Sequence, residues 1–138
     1  MPAQRTYDYA IVRVVPRVER GEFVNAGVII SCASLGYLGA HIELDEKRLF
    51  ALDPNADLEG IRATLATIPV ICAGGAAAGA LGRLSLRERF DWLVAPRSTT
   101  IQTSAVHTGR CQDDPNDPGR TLERLVQTMV RPLSDAAR

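Results

Sequence analysis

The sequence has no net charge and few aromatic residues, and both absences narrow the partners it can have. Its 16 lysine and arginine residues are balanced by 16 aspartate and glutamate residues, and aromatic residues make up 5% of the chain. Proteins that bind nucleic acid usually show a basic excess, and sheets that bind RNA stack its bases on aromatic side chains. We therefore do not expect nucleic acid as a partner, and the neutral balance also disfavours an acidic membrane surface.

The chain also has few cysteines and no spacing that would pair them. Cys32, Cys72 and Cys111 are odd in number and far apart, with no CxxC motif among them. Disulfide frameworks and structural zinc sites depend on such spacings, so we expect free thiols and a reduced, cytoplasmic protein. The motifs GxxxxGK[ST], GxGxxG and GxSxG are absent as well. We therefore expect neither a cofactor nor a metal.

The one long uncharged stretch, residues 63–82, is nominally long enough to cross a bilayer. It consists mainly of alanine, glycine and threonine, with Pro69 near its middle, and such residues gain little from lipid. We expect a core helix that runs into a loop of small residues, and no membrane span.

Three apolar segments near the N-terminus predict three adjacent antiparallel strands. Residues 7–15 are rich in β-branched and aromatic residues, residues 24–32 are almost continuously apolar, and residues 37–44 alternate in polarity. Short connections that contain glycine join them, which favours hairpins. A fourth strand is predicted later, over residues 99–106.

Apolar spacing predicts helices between and after these strands. Apolar side chains recur at helical intervals over residues 58–68 and 122–130, and a capping-box pattern begins another helix at Ser85. The segments together predict an α+β fold with a small antiparallel sheet of about four strands, a three-strand meander plus one later strand, and helices packed on one face. We expect a single domain over residues 1–138, with residues 132–138 as a disordered tail.

Strand parity places several polar side chains on one face of the predicted sheet. When the apolar residues of the first strand face the helices, the side chains that alternate with them share the second face. These polar residues are Arg13, Asn25, His41 and Glu43. The second face is then either a half-solvated surface with cross-strand polar pairs or a binding surface.

Arginine and hydroxyl side chains collect at two places in the strand-like sequence. Arg13 and Arg17 lie at the end of the first strand, and Arg97 and Ser98 precede the fourth. Because a guanidinium binds phosphate or carboxylate through two parallel hydrogen bonds, the two groups could converge on an anion. Glu22 lies beside the first group, so surface ion pairs are the alternative.

Two segments carry a resemblance to a known family. One contains Tyr-Asp-Tyr-Ala-Ile-Val-Arg and Phe-Val-Asn-Ala-Gly-Val within residues 7–28, and the other is Phe-Asp-Trp-Leu-Val-Ala-Pro-Arg-Ser-Thr-Thr-Ile-Gln at residues 90–102. The chain resembles the bacterial domain-of-unknown-function family 3037 over nearly its whole length. The resemblance supplies no catalytic residue, but it implies a HipA-like serine/threonine kinase as a partner, beside which members of the family tend to be encoded. The matching motifs single out Arg13, Arg17, Glu22, Asn25, Gly27, Arg97, Ser98 and Gln102.

These observations predict a non-catalytic interaction or anion-binding domain, acting as partner or regulator of a HipA-like kinase or binding a ligand that bears phosphate or carboxylate. The candidate ligand-binding residues are Arg13, Arg17, Glu22, Asn25, Arg97, Ser98, Gln102 and His107. The alternative is an enzyme acting on a phosphorylated or nucleotide-like substrate, with arginines as an anion clamp and His107 or Glu22 as proton carrier. A homodimer formed through an exposed edge strand is a third possibility.

Overall fold

The computed structural model describes residues 3–133, which form a five-stranded antiparallel sheet with helices around it. The strands are β1 (Gln4–Val14), β2 (Val24–Cys32), β3 (Tyr37–Ile42), β4 (Ile101–Thr103) and β5 (His107–Gln112). β1 is long enough to pair with β4 along its C-terminal half and with β5 along its N-terminal half, on the same edge. β2 and then β3 complete the other side. The α+β class and the antiparallel sheet are therefore confirmed.

The strand predicted over residues 99–106 is shorter than expected, and a further strand follows it after a break at Ser104. The Ser104 backbone N–H donates to the Ile11 carbonyl at 2.8 Å, and the Ser104 hydroxyl oxygen accepts from the Ile11 N–H, also at 2.8 Å. One residue thus satisfies both backbone groups of Ile11. The chain can leave the ladder here and rejoin it at His107, which is why the sheet has five strands rather than about four.

Within residues 3–133, four α-helices flank the sheet: α1 (Glu46–Leu52), α2 (Leu58–Ala73), α3 (Leu86–Leu93) and α4 (Asp117–Met129). Shorter 3₁₀ segments lie at Val18–Arg20, Ala33–Leu35 and Ala76–Arg83. Side-chain caps set the starts of three helices: Asp45 for α1, Asp57 for α2, and Ser85 with Glu88 in the predicted capping box for α3. α2 continues past Pro69 to Ala73.

The helices cover both faces of the sheet, whereas the sequence predicted them on one. α1, α2 and α3 pack on the first face, around a core that includes Val12, Val14, Leu65 and Phe90. α4 packs on the second face, against Tyr7, Val28, Ile30, Cys32 and Cys111. The apolar stripe of α4 was predicted correctly, but the periodicity of a helix does not say which face of a sheet it covers.

A β-bulge at Ala26 changes the parity of β2. Arg13 pairs with Asn25, but the preceding residue of β1 pairs with Gly27, so Ala26 is the extra residue. The rest of β2 is thereby turned over relative to the predicted alternation, while Arg13 and Asn25 still share the second face. Gly27 permits the close approach of β3 at this point, since a Cβ there would lie 2.6 Å from the His41 carbonyl oxygen.

The uncharged stretch of residues 63–82 forms most of α2 and the 3₁₀ segment after it, as the sequence predicted for a core helix followed by small residues. Ile61, Leu65, Ile68 and Ile71 of α2 are buried. Among residues 3–133, no single helix is long and apolar enough to cross a bilayer; α2 and the 3₁₀ segment reach that length only together, with a bend of 64° between them. Most of the predicted disordered tail, residues 134–138, lies outside the described residues.

A network of ion pairs joins the C-terminal end of α4 to the end of β3. The Arg131 guanidinium donates to both carboxylate oxygens of Glu43, at 2.8 and 3.1 Å, and lies 2.9 Å from the Glu123 carboxylate. His41 Nε2 lies 3.2 Å from the same Glu43 carboxylate. The hydrogen bond from Arg131 is the main reason that the pKa of Glu43 is lowered from its usual value. The charged form of Glu43 therefore favours the folded state.

We expect the contribution of Glu43 to stability to be lost in acid. A folded-state pKa below the usual 4.5 means that the stabilisation is present above that value and disappears as the pH falls through the folded-state pKa. Because Glu43 is 39% exposed, Glu43→Gln should lower the free energy of unfolding at neutral pH by only about 0.5–1 kcal/mol. Urea unfolding near neutral pH and again well below the usual carboxyl pKa measures both values.

The control for this prediction is Glu19→Gln, which removes an exposed carboxylate 3.6 Å from Arg17. This variant should unfold like the wild type at both pH values. An equal loss of stability for Glu43→Gln at neutral and at acid pH would contradict the electrostatic explanation.

Candidate functional site

The two segments that carry the family resemblance lie side by side in the sheet. β4, from the second segment, pairs with the end of β1 so that Gln102 lies opposite Arg13, and β2 places Asn25 opposite Arg13 on the other side. β5 places His107 opposite Tyr9. Directly opposed residues share a face of the sheet. Half of the eight candidate residues therefore share the second face: Arg13, Asn25, Gln102 and His107.

α4 covers only part of this second face. Its apolar side packs over β2 and β5, whereas the region around the end of β1 remains accessible: Phe23 is 43% exposed, and Arg13 is only half-buried. We call this region the open face and define it by Tyr9, Ile11, Arg13, Phe23, Gln102 and His107.

Arg13 is the central cation of the open face. Its guanidinium carbon lies 4.2 Å from the centre of the Phe23 ring, within the range of a cation–π contact. Within residues 3–133 it forms no ion pair, and its Nε is buried without a hydrogen-bond partner. A guanidinium fixed over an aromatic ring and lacking a counter-ion is well suited to bind an anion.

Asn25 connects the open face to α4. Its Nδ2 donates to the carbonyl of Met129, the last residue of α4, at 3.0 Å, while its Oδ1 is buried without a partner in the described part of the chain. The side chain thus satisfies one of the carbonyls that a helix end leaves free. Asn25 therefore has a structural role in ending α4 beside the open face.

Gln102 and His107 border Arg13 on the side of β4 and β5. The Gln102 side chain donates from Nε2 to the Thr99 carbonyl at 2.7 Å. The His107 ring packs on Tyr9 with 5.4 Å between ring centres and a tilt of 35°. The open face is thus an aromatic surface with one fixed guanidinium and a neighbouring amide.

Two of the other candidates lie in the connection between β1 and β2, where they form ion pairs. Arg17 lies 3.6 Å from Glu19 and 3.6 Å from Asp53. Glu22 pairs with Arg20, and the hydrogen bond from Arg20 lowers the pKa of Glu22. These are the surface ion pairs that the sequence left open as an alternative, and exposed pairs of this kind contribute little to stability.

Arg97 lies at the end of α3, on the side of the first face. Its Nη1 donates to the Leu93 carbonyl at 3.0 Å, its Nη2 donates to the Trp92 carbonyl at 2.5 Å, and its guanidinium lies 4.4 Å from the Trp92 ring centre. Arg97 therefore satisfies carbonyls at the C-terminal end of α3. The adjacent Ser98 is exposed. Trp92 was not among the candidates, although the Trp-Leu-Val-Ala-Pro-Arg sequence places an aromatic ring near an arginine.

The residues of the enzymatic alternative do not converge. His107 lies opposite Tyr9, and Tyr9 and Arg13 are four residue steps apart along β1, about 13 Å of strand. Arg97 lies beside α3, and Glu22 lies in the turn before β2, paired with an arginine. An anion clamp next to a proton carrier is therefore not assembled from these four side chains.

Cysteine and metal chemistry find no support in the described chain. All three cysteines are free and buried. Burial is the main cause that raises the pKa of Cys72 to about 12 and that of Cys111 to about 11. At neutral pH these two thiols are protonated and are poor nucleophiles. Between residues 3 and 133, no group of three or more histidine, cysteine, aspartate or glutamate side chains is placed to hold a metal ion.

Fold and site together define an α+β domain with an accessible sheet face that presents one unpaired arginine. The family model for the proteins of unknown function DUF3037 matches residues 9–130. The match spans most of the chain, so this protein belongs to that family, as the two sequence segments indicated. All eight candidate residues lie within the matched range. Comparison with curated proteins and with solved structures gave no match.

Arg89 provides a structural contrast to Arg13. It is 8% exposed, and it donates to the Leu84 carbonyl at 2.6 Å and to the Cys72 carbonyl at 3.3 Å. It thereby joins the end of α2 to the start of α3, and its donors serve the fold.

We expect Arg13→Ala to change the free energy of unfolding by less than about 1 kcal/mol, since it removes one partly exposed cation–π contact and no hydrogen bond to the described chain. Arg89→Ala should cost about 2–3 kcal/mol, because it leaves the buried Cys72 carbonyl and the part-buried Leu84 carbonyl without this donor. Chemical denaturation of both variants measures the difference. A loss for Arg13→Ala as large as that for Arg89→Ala would make Arg13 a structural residue.

Proposed function

We propose that this protein is a non-catalytic binding domain whose open face binds an acidic segment of another protein. The observation that supports this proposal is the state of Arg13, which is held over Phe23 on an accessible sheet face with no carboxylate partner among the described residues. Water solvates the Arg13 guanidinium less completely because the Phe23 ring covers one side of it. An incoming carboxylate or phosphate therefore gains more from Arg13 than from a fully solvated arginine.

The shape and composition of the open face favour a protein partner over a small molecule. Its residues spread along β1, β4 and β5 rather than around a cavity. Small ligands usually need a concave site. Tyrosine, phenylalanine and arginine are residue types enriched at the centres of protein interfaces. On the open face, Tyr9 and Arg13 lie on β1, and Arg13 contacts Phe23.

The partner that we propose is a HipA-like serine/threonine kinase in the cytoplasm. The family membership motivates this choice, and the free cysteines accord with a reducing compartment. The recognised group would be a carboxylate cluster or a phosphorylated residue of the kinase, since either would supply the counter-ion that Arg13 lacks. The domain would then act as a partner or regulator of the kinase, with no catalytic step of its own.

A co-expression experiment tests the partner and the face separately. The protein is co-expressed with the HipA-like kinase of the same host, and binding is measured by calorimetry with the purified components. We expect the wild type to bind and Arg13→Glu to bind at least about tenfold more weakly, because the new carboxylate repels an acidic segment. Phosphatase treatment of the kinase distinguishes a phosphorylated residue from a carboxylate cluster.

The matched control is Arg110→Glu, which reverses an exposed arginine of β5 opposite Thr6, on the other face of the sheet. This variant should bind like the wild type. Absence of binding by the wild type would exclude this kinase, and equal binding by Arg13→Glu would exclude the open face. Light scattering on the protein alone measures its mass, which would double if an edge strand paired with a second copy.

A further inference from the structure

A groove runs between α2 and the edge strand β4, on the first face of the sheet. It consists of two adjoining cavities, of about 310 Å³ and about 380 Å³, whose linings share Thr64, Thr100 and Ile101. Each cavity is large enough to enclose a small ligand or a few residues of a peptide. Arg13 and His107 of the open face do not line either cavity. Of the residues that define the open face, only Gln102 also lines the groove, at the edge of β4. The two sites therefore border each other at this residue but lie on different faces of the sheet.

The two ends of the groove carry opposite charges. Arg97 and Trp92 lie at one end, and Asp53 and Asp57 lie at the other. Arg17 lies 3.6 Å from Asp53 but also 3.6 Å from Glu19, so it does not neutralise both aspartates and the acidic end keeps a negative charge. A ligand that fits this groove has a negative group at its Arg97 end and a positive group at the other.

Arg97 retains hydrogen-bonding capacity toward the groove. Its guanidinium has donors beyond the two N–H groups that bond the Leu93 and Trp92 carbonyls. The contact with the Trp92 ring at 4.4 Å fixes its plane, and within residues 3–133 no carboxylate forms an ion pair with it. The remaining donors are thus positioned before a carboxylate arrives, which reduces the entropy lost on binding.

The groove also reaches the outer backbone edge of β4, which pairs with no strand among the described residues. Ile101, Gln102 and Thr103 all line it, although successive side chains of a strand point to opposite faces, so the groove lies along the edge of the strand. The Thr100 carbonyl accepts from the N–H of Val15, the residue after β1, and the Ser104 N–H donates to the Ile11 carbonyl of β1. By the alternation of an antiparallel ladder, Ile101 and Thr103 direct their peptide groups away from β1. The Ile101 carbonyl accepts from the Thr99 hydroxyl at 2.8 Å, so the groups left for a ligand are the Ile101 N–H and both peptide groups of Thr103. An extended chain can pair with such an edge.

We infer that this groove binds a short extended peptide segment, with a carboxylate side chain at the Arg97 end and a basic side chain at the Asp53 and Asp57 end. The part of α2 that lines the groove extends from Gly60 to Ile68, which is about 12 Å of helix. An extended chain covers about four residues over that length. Residues with β-branched side chains suit the middle of the segment, where the groove is lined by threonine and isoleucine.

Titration with a synthetic peptide tests the inference. The probe is the acetylated and amidated tetrapeptide Lys-Val-Thr-Glu, used together with the reversed sequence Glu-Thr-Val-Lys because β4 can pair in either direction. Binding is followed by NMR at the indole N–H of Trp92, the single tryptophan of the chain. We expect one of the two peptides to shift this resonance to saturation.

The charges of the peptide provide the first comparison, made on the wild-type protein. Glutamine in place of the peptide's glutamate should weaken binding about tenfold or more, because hydrogen bonds from Arg97 to a charged group are lost. Glutamine in place of its lysine should weaken binding only about twofold, since Arg17 offsets part of the acidic end. Equal affinity for the charged and neutral peptides, or no shift of the Trp92 resonance at millimolar peptide, would overturn the inference.

Protein variants provide the second comparison. Arg97→Gln should remove the preference for glutamate over glutamine. Arg48→Gln changes another arginine that donates to a backbone carbonyl, that of Val130, but lies outside the groove, and it should keep the preference. Arg13→Glu should also leave the titration unchanged, so failure of the groove and failure of the open face are distinguishable. A preference that survives Arg97→Gln would assign the carboxylate to another site.

Discussion

The double hydrogen bond between Ile11 and Ser104 is the interaction on which both candidate binding surfaces depend. Because Ser104 satisfies the N–H and the carbonyl of Ile11, one edge of β1 can be shared by β4 and β5. β4 then forms one wall of the groove beside α2, and β5 brings His107 onto Tyr9 at the open face. The groove lies on the first face and the open face on the second, and Gln102 at the edge of β4 borders both.

α4 determines how much of the second face remains accessible. Two polar contacts fix its C-terminal end: Asn25 binds the Met129 carbonyl, and Arg131 binds the Glu43 carboxylate. Both Asn25 and Glu43 belong to the polar residues that strand parity places on this face. Such residues can therefore serve the packing of a helix instead of a ligand, and only the part of the face beyond Met129 is free to bind a partner.

The meander of β1 to β3 and the helix caps could be predicted from the sequence because they depend on alternation and on residues a few positions apart. The bulge at Ala26, the break at Ser104 and the position of α4 could not, because tertiary contacts decide each of them. For the site, parity correctly placed Arg13 and Asn25 on one face. It could not show that Arg97 stacks on Trp92 and lies on the other side of the sheet, since that depends on how α3 packs.

Arginine supplies all but one of the 16 basic residues, so its presence alone does not identify a binding site. What separates these arginines is how their donors are used. Arg89 donates to the Leu84 and Cys72 carbonyls, and Arg131 pairs with the Glu43 and Glu123 carboxylates. Neither guanidinium would therefore gain much binding energy from a ligand. Arg110 is exposed, and an anion would have to displace its water. Arg13 and Arg97 differ because an aromatic ring fixes each guanidinium while it keeps unused donors. This combination, seen at Arg13 and Arg97 in the described part of the chain, is the reason that both proposals place an anionic group at these side chains.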